Sequence, residues 1–400
     1  MDQYEYERGY DDMRFINKII RLLEYSFETL KYFVLYPAAM LCYRSRHIHI
    51  FAERGTDARD NGYYMYRFYR VNHPELESYY IITKDSPDRY KVANLGNVIN
   101  NGSLKHYLLF IAAEYKISTH IMGYSPHIDY YSRFADKLHI KGHRIFLQHG
   151  VISNDLPALY SPKTNLNIFI CGAKPEFDFI SDTFGYHNGE VKYTGLARYD
   201  GLHDINLKEQ ILCMPTWRKY LKYDPAVKIE ESEYVRTWNS LLNNPKLIAA
   251  LHENNMQLVF YPHYELQKHI SIFKSYFNEV IIAQFKDYDV QQLLKESKLL
   301  ITDYSSIFYD FAYMKKPIIY FHFDDERYFS EHYAKGYFDY KTMGFGEVLF
   351  NENDVVEKII MYLKTNFEIE AEYKKRMNNF FPLHDKQNCQ RIYTEIEKCC

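Results

Sequence analysis

The sequence predicts an α/β protein made of two Rossmann-like halves, preceded by an amphipathic helical segment. Three observations lead there. Short apolar runs alternate with helical segments along most of the chain, the pattern of parallel, doubly wound sheets. That pattern pauses near residue 200 and restarts at Gln210. A chain of 400 residues is too long for one ordinary domain and sufficient for two, at ~150 residues each. The expected division is 1–44 for the amphipathic segment, 45–200 for a first Rossmann-like domain, 201–384 for a second, and 385–400 for a terminal helix.

Residues 14–34 (RFINKIIRLLEYSFETLKYFV) carry helical periodicity. Phe15, Ile19, Leu22, Leu23, Phe27, Leu30, Phe33 and Val34 form one stripe, with Arg14, Lys18, Arg21, Glu24, Glu28 and Lys31 largely off it. Such a helix either lies in a lipid interface or packs on the domain behind it. HIHIFAE (47–53) reads as the first strand, followed by a loop that opens a helix. SYYIITKDS (78–86) is a second strand, and HYLLFIAAEYKISTHIMG (106–123) is a helix running into a third. RIFLQHG (144–150) and LNIFICGA (166–173) follow. The second half places strands in QILCMPTWR (210–218), MQLVFYPHY (256–264), EVIIAQF (279–285), KLLITDYSS (298–306) and KPIIYFHFD (316–324). Helices are expected across 228–255, 288–298, 307–315 and 385–398.

Composition narrows the functions. With 47% hydrophobic and 25% charged residues the chain is neither disordered nor collagen-like. A balance of 49 Lys+Arg against 52 Asp+Glu leaves −3, so no global basic field draws in nucleic acid. Tyr is in excess, 41 against 2 Trp, which can line sugar or polyol sites, although amphipathic packing at surfaces and interfaces is the plainer account. Cys42, Cys171, Cys213, Cys389, Cys399 and Cys400 form no CxxC pair, as expected in a reducing compartment. The opening MDQYEYERGYDDMR is too polar for a signal peptide, and the apolar Tyr32–Tyr43 stretch is shorter than the ~20 residues a span needs and is interrupted by Pro37. A cytoplasmic protein, peripheral on the inner face of the cell membrane, is the expectation.

Ligands of doubly wound sheets sit at the carboxyl ends of strands. Five such ends here are polar: His149-Gly150, Thr194-Gly195 with Arg198, Thr216-Trp217-Arg218, His263, and Asp303 to Ser306. A His at 149 has the pKa of ~6.5 that suits a general base, or is simply hydrogen-bonded in a turn. Gly150 permits a sharp turn or close backbone approach to a substrate. Ser305-Ser306 would cap the next helix and offer hydroxyls, N–H groups and the positive dipole end to an anion, with Asp310 one turn on reaching a ligand hydroxyl; an ordinary N-cap is the plain alternative. Arg198 and Arg218 are forks for phosphate, or surface salt bridges. His263 stands at a strand end of the second half. No P-loop, zinc spacing or DxD cluster occurs, so neither a metal nor a cofactor is expected.

Taken together, HG after a strand, GLAR at 195–198, PTWR at 215–218, PH at 262–263 and ITDYSSIFYDFAYMKKPIIYF at 301–321 resemble the CDP-glycerol glycerophosphotransferase family, over roughly residues 45–380. Members build the polyol-phosphate chains of teichoic acids and related capsules. The resemblance implies a GT-B fold, with two Rossmann-like domains facing a central cleft, donor nucleotide held by the second and acceptor entering from the first. By motif, His149 and His263 match the two functional His, and Arg198, Thr216, Trp217, Ser305, Ser306 and Asp310 match donor-binding positions. One departure is visible: many members continue HG with Thr-Pro-Leu and a Lys pair, where this chain reads HGVISNDLP.

The expected reaction is attack of an acceptor hydroxyl on the β-phosphorus of a CDP-alditol, most simply CDP-glycerol, with release of CMP. His149 would be the base; His263, Arg198, Ser305 and Ser306 would steady the phosphates. The partners are then the CDP-alditol, a lipid-linked or polymeric acceptor, and the inner membrane surface. Two other readings compete: a GT-B glycosyltransferase using a nucleotide sugar, and a non-catalytic, membrane-docked assembly protein.

Overall fold

The computed structural model describes the backbone of residues 3–223, 228–331 and 336–399, and side chains within 17–221, 228–330 and 336–399. Phe15 of the expected stripe, Arg14 beside it, and Cys400 lie outside the described side chains. Strands β1 (Ile48–Ala52), β2 (Glu77–Ile82), β3 (Val98–Asn100), β4 (Tyr115–Ser118), β5 (His143–Phe146), β6 (Ile168–Cys171) and β7 (Val191–Tyr193) form one sheet in the order β3-β2-β1-β4-β5-β6-β7. Strands β8 (Gln210–Cys213), β9 (Gln257–Phe260), β10 (Val280–Ile282), β11 (Leu299–Thr302), β12 (Ile318–Phe321) and β13 (Gly346–Leu349) form the other, in the order β10-β9-β8-β11-β12-β13. Pairing is parallel from β3 through β6 and throughout the second sheet. The two Rossmann-like sheets are therefore those expected.

The inner strands are apolar runs because helices cover both their faces, leaving no solvent side to alternate with. β1 (IHIFA), β6 (IFIC), β11 (LLIT) and β12 (IIYF) are buried at every position. Three strands have no range in the sequence reading: β3 and β13, which have no counterpart there, and β7, implied only by the strand end at Thr194-Gly195. All three are short sheet edges. The helical stretch expected over 228–255 is broken at Asn243–Asn244 into Glu233–Leu242 and Pro245–Glu253, where Asn244 caps the second piece and Pro245 occupies its first turn.

Two compact units emerge from the packing. One comprises residues 1–149, 165–169 and 394–400; the other comprises 150–164 and 170–393. Each has its own core. In the first, Ile48 and Ile50 of β1 pack with Ile81 of β2 and with Phe110, and Tyr32 and Ala39 of the N-terminal helix join them. In the second, Trp238 packs among Phe260, Phe321 and Phe323.

The N-terminal helix differs from expectation in length and in the face it buries. It runs Gln3–Tyr43, through Pro37. Its Tyr25, Glu28, Tyr32, Leu35, Tyr36 and Ala39 side turns inward, with Tyr32 3% and Ala39 0% exposed. Tyr32 stacks on Tyr130 (5.6 Å, 14°), and Glu28 accepts a hydrogen bond from the Tyr107 hydroxyl (2.7 Å). The Leu/Phe stripe faces away, with Leu23 66% and Phe33 79% exposed. The helix thus packs and still presents an apolar face. Among the described residues no helix is long and apolar enough to cross a membrane.

Candidate functional site

In the first unit, β5 leads into Leu147, whose N–H still donates to Ser118 O (2.8 Å), and then the chain turns. Gln148 takes φ +60°, a left-handed conformation that a side-chain-bearing residue adopts only when its surroundings hold it there. Asn61, first residue of the helix Asn61–Asn72, donates its amide to Gln148 O (2.8 Å). The turn buries Gln148 and brings His149 to the surface.

The His149 ring lies flat on His120, which follows β4, at 4.8 Å between centroids and 13° between planes. His120 Nε2 accepts from Arg54 Nε (3.0 Å), which leaves Nδ1 to carry the proton and donate to Thr119 Oγ1 (3.0 Å). Both ring nitrogens are thereby fixed. Burial, then the neighbouring His149 and Arg54, push His120 down to about 3, so it is a neutral platform at any physiological pH.

In the second unit the structure gathers Gly150, Arg198, Ser306 and Asp310. A methyl group built on Gly150 would stand 3.7 Å from Ser306 Oγ and 3.8 Å from Arg198 Nη2. Arg198 lies in the turn Ala197–Gly201 beyond β7. The tight approach there requires Gly195, which has φ +79° and would set a Cβ only 1.9 Å from Asn388 Oδ1. Ser306 sits at the N-cap of the helix Ile307–Tyr313 but makes no side-chain cap bond, and is exposed; Ser305 is half-buried. The Ser305-Ser306 cap expected from sequence is therefore not formed by the Ser306 hydroxyl. Asp310 corrects a second expectation. Instead of facing a ligand it receives Arg198 Nε and Nη2 on its two oxygens, each at 2.7 Å, in a buried bidentate pair. Asp310 sets the plane of the guanidinium.

Arg218 requires a third correction. It is 1% exposed, with Nε and Nη2 on Asp324 (2.6 and 2.8 Å) and Nη1 on Asp303 (2.8 Å). The rings of Tyr234, Tyr304 and Tyr328 enclose it at 5.0–5.1 Å. Caged in this way it ties the carboxyl ends of β8, β11 and β12 together and is not a fork for an incoming phosphate. Asp303 also accepts from the Thr216 N–H (2.8 Å), so the half-buried Thr216 and Trp217 are held at the end of β8. Beside them, at the end of β9, the His263 ring lies 6.2 Å from Trp217. His263 Nδ1 accepts from the Glu265 N–H (3.2 Å), which places the ring proton on Nε2 as a donor.

Several positioning residues escaped the sequence reading: Asn61, His120 and Glu176. Glu176 is buried and accepts from the N–H groups of Ile152 and Gly172, both at 2.6 Å, fixing the loop that follows Gly150. Their signal is faint, because single polar residues in long chains are recognisable only by what they touch. Among the described residues no three His, Cys, Asp or Glu side chains cluster as metal ligands.

Two parallel Rossmann-like sheets, each with polar, chemically capable residues at strand carboxyl ends, define a GT-B-like protein. Residues 35–398 match the family model of CDP-glycerol:poly(glycerophosphate) glycerophosphotransferases, and the chain belongs to that family. It is 35% identical over 364 residues, 87% of this chain and 39% of the relative, to the minor teichoic acid biosynthesis protein GgaB of Bacillus subtilis (strain 168). It is 23% identical to the teichoic acid poly(glycerol phosphate) polymerase of the same strain, across 84% of this chain and 46% of that one. The chain thus spans less than half the length of these curated relatives. The solved wall teichoic acid polymerase TagF superposes with a TM-score of 0.64 at 16% identity, covering 96% of this chain and 98% of that one, a likeness of fold.

Proposed function

We propose that this chain transfers an alditol phosphate, most simply glycerol phosphate, from a CDP-alditol to a hydroxyl of a polymeric or lipid-linked acceptor in teichoic acid or capsule synthesis. The observation that carries the reading is the convergence of Gly150, Arg198 and Ser306, three motif residues from distant segments, within 4 Å of one point. A fixed guanidinium, an uncapped serine hydroxyl and a short helix N-terminus suit phosphate oxygens.

In this reaction the acceptor oxygen forms a bond to the β-phosphorus, and the bond from that phosphorus to the bridging oxygen breaks. The electron pair leaves on CMP. The acceptor proton passes to His149, whose exposed ring and neutral His120 backing suit a base. Arg198, Ser305, Ser306 and the Nε2–H of His263 offset negative charge as it moves to the departing phosphate, the main requirement of phosphoryl transfer. Trp217 and Thr216 border the donor. The exposed Leu/Phe stripe supports peripheral attachment to the inner membrane face, where a lipid-linked acceptor is concentrated.

Incubating the purified chain with CDP-glycerol, CDP-ribitol and nucleotide sugars, with a lipid-linked acceptor present and product masses recorded, tests the proposal. Mass increments of one alditol phosphate with CMP released are expected. Glycosyl transfer from a nucleotide sugar, with both CDP-alditols inert, would replace this reading with the glycosyltransferase one.

A further inference from the structure

The tyrosine excess of the sequence has a local expression that the reaction does not use. Beyond the carboxyl ends of β11, β12 and β13, a cavity of about 580 Å³ opens in the second unit. That size is in the range of small-molecule sites, ~300–1,000 Å³. Tyr304 and Tyr328 stack at 3.6 Å and 8° in its wall, and Phe329 meets Tyr304 edge-on at 5.5 Å. Phe329 and Phe350 stand 43% and 53% exposed on the lining.

The polar groups are of mixed sign: Asp325 and Asp339 against Lys341, with Ser153 and Asn154 beside them; His322 is bonded to Asp325 (3.1 Å), and one Asp339 oxygen caps the helix Tyr340–Met343 by accepting from the Thr342 N–H (2.8 Å). The His322 bond, ahead of the opposing effect of burial, holds the Asp325 carboxyl below its ordinary range, so it is an ionised acceptor. Two carboxylates repel a phosphate chain. They accept hydrogen bonds from hydroxyls, while aromatic faces and edges cover the C–H surface of a ring. Planar rings combined with carboxylate acceptors match a neutral, polyhydroxylated ring.

We propose that this cavity is a saccharide subsite, taking one neutral glycosyl residue of the acceptor. Sugar binding stands on the cavity alone; its role as an acceptor subsite rests on the transferase reading above.

The test uses the full chain and, as probes, methyl glycosides of glucose, galactose, N-acetylglucosamine and N-acetylgalactosamine, with glycerol, cytidine and CDP-glycerol alongside. Saturation-transfer NMR and calorimetry read the binding. At least one glycoside is expected to saturate at roughly 1–10 mM. Phe329→Ala with Phe350→Ala, two exposed positions whose loss leaves the core intact, should weaken it tenfold or more while CDP-glycerol affinity stays within twofold. A melting temperature equal to wild type confirms that the variant is folded. The proposal is overturned if no glycoside binds the wild type, if the double variant still binds glycosides as the wild type does, or if it loses CDP-glycerol or cytidine in parallel, which would make the cavity part of the donor site. Glycoside binding through Phe329 and Phe350 in a chain that transfers nothing from CDP-glycerol would keep the subsite and remove the transferase reading.

Discussion

The Arg198–Asp310 pair allows binding and scaffolding to be separated in one experiment. Both groups are buried, and two 2.7 Å hydrogen bonds use both carboxylate oxygens. Asp310→Asn keeps the shape but removes the charge and turns an amide donor toward a guanidinium that has only donors. Leaving one member of a buried pair uncompensated costs about 3–5 kcal/mol, so urea unfolding of the second unit should shift by that amount. Replacing both, Arg198→Met with Asp310→Leu, removes the uncompensated charge; stability should return to within ~1 kcal/mol of wild type. CDP-glycerol affinity, measured by calorimetry, should be lost in both variants, because the double change restores packing and not the fork. A double variant that binds CDP-glycerol like wild type would show that Arg198 holds no phosphate. An Asp310→Asn variant of unaltered stability would refute the pair's structural weight.

Other outcomes follow from the same geometry. His149→Ala should lower kcat by about 10²–10⁴ with donor affinity little changed; His120→Phe, which keeps a flat ring under His149, should retain most of the activity that His120→Ala loses, and equal losses would refute the stacking role. His49 and His106 are pushed down to about 4, and His120 to about 3, chiefly by burial. The unfolded chain, with its His near 6.5, therefore binds more protons in acid, so stability is full above about pH 6.5 and falls by up to ~1.4 kcal/mol per pH unit per group as pH drops toward 4. Flat urea midpoints between those values would contradict this. Leu22→Ser, Leu23→Ser, Phe27→Ser and Phe33→Ser combined should abolish flotation with anionic vesicles without shifting the melting curve, whereas Tyr32→Ala on the inward face should cost ~3–5 kcal/mol. Retained flotation would place membrane contact elsewhere.

Much of the fold could be read from the chain because buried parallel strands are near-continuous apolar runs, as β1, β6, β11 and β12 are apart from His49 and Thr302. Edge strands escape that pattern. VIN and GEVL, each at the edge of its own sheet, pair on one side only and carry too few apolar residues to stand out. In the site, residue type and strand-end position found Gly150, Arg198 and Ser306, which the structure brings together. Neither feature told Arg198 from Arg218. Both follow a strand, and both suit phosphate, but Arg218 meets Asp303 and Asp324, which lie 85 and 106 positions away in the chain. Long-range partners decide which arginine is scaffold, and no local pattern contains them.

The N-terminal helix illustrates a related limit. Hydropathy weights Leu, Ile and Phe above Tyr, so the Leu/Phe stripe looks like the buried face. The structure buries the Tyr face instead, because the receiving surface is itself aromatic and polar: Tyr107, Tyr130 and Phe134 meet Tyr25 and Tyr32, while Thr29 and Glu28 bond to the Tyr130 and Tyr107 hydroxyls at 2.7 Å. The Tyr25 and Tyr32 rings bury their area against aromatic partners, while Thr29 and Glu28 answer the receiving hydroxyls of Tyr130 and Tyr107, which Leu or Phe at those helix positions could not do. The helix is thus anchored by residues that an apolar scale undervalues, leaving its most apolar side unpaired. Because the anchor and the exposed stripe lie on opposite faces, changes to the stripe can be tested without unfolding the domain, whereas deleting residues 1–34 would remove Tyr25, Glu28 and Tyr32 along with it. Substitution of the stripe, not truncation, is therefore the experiment that distinguishes attachment from stability.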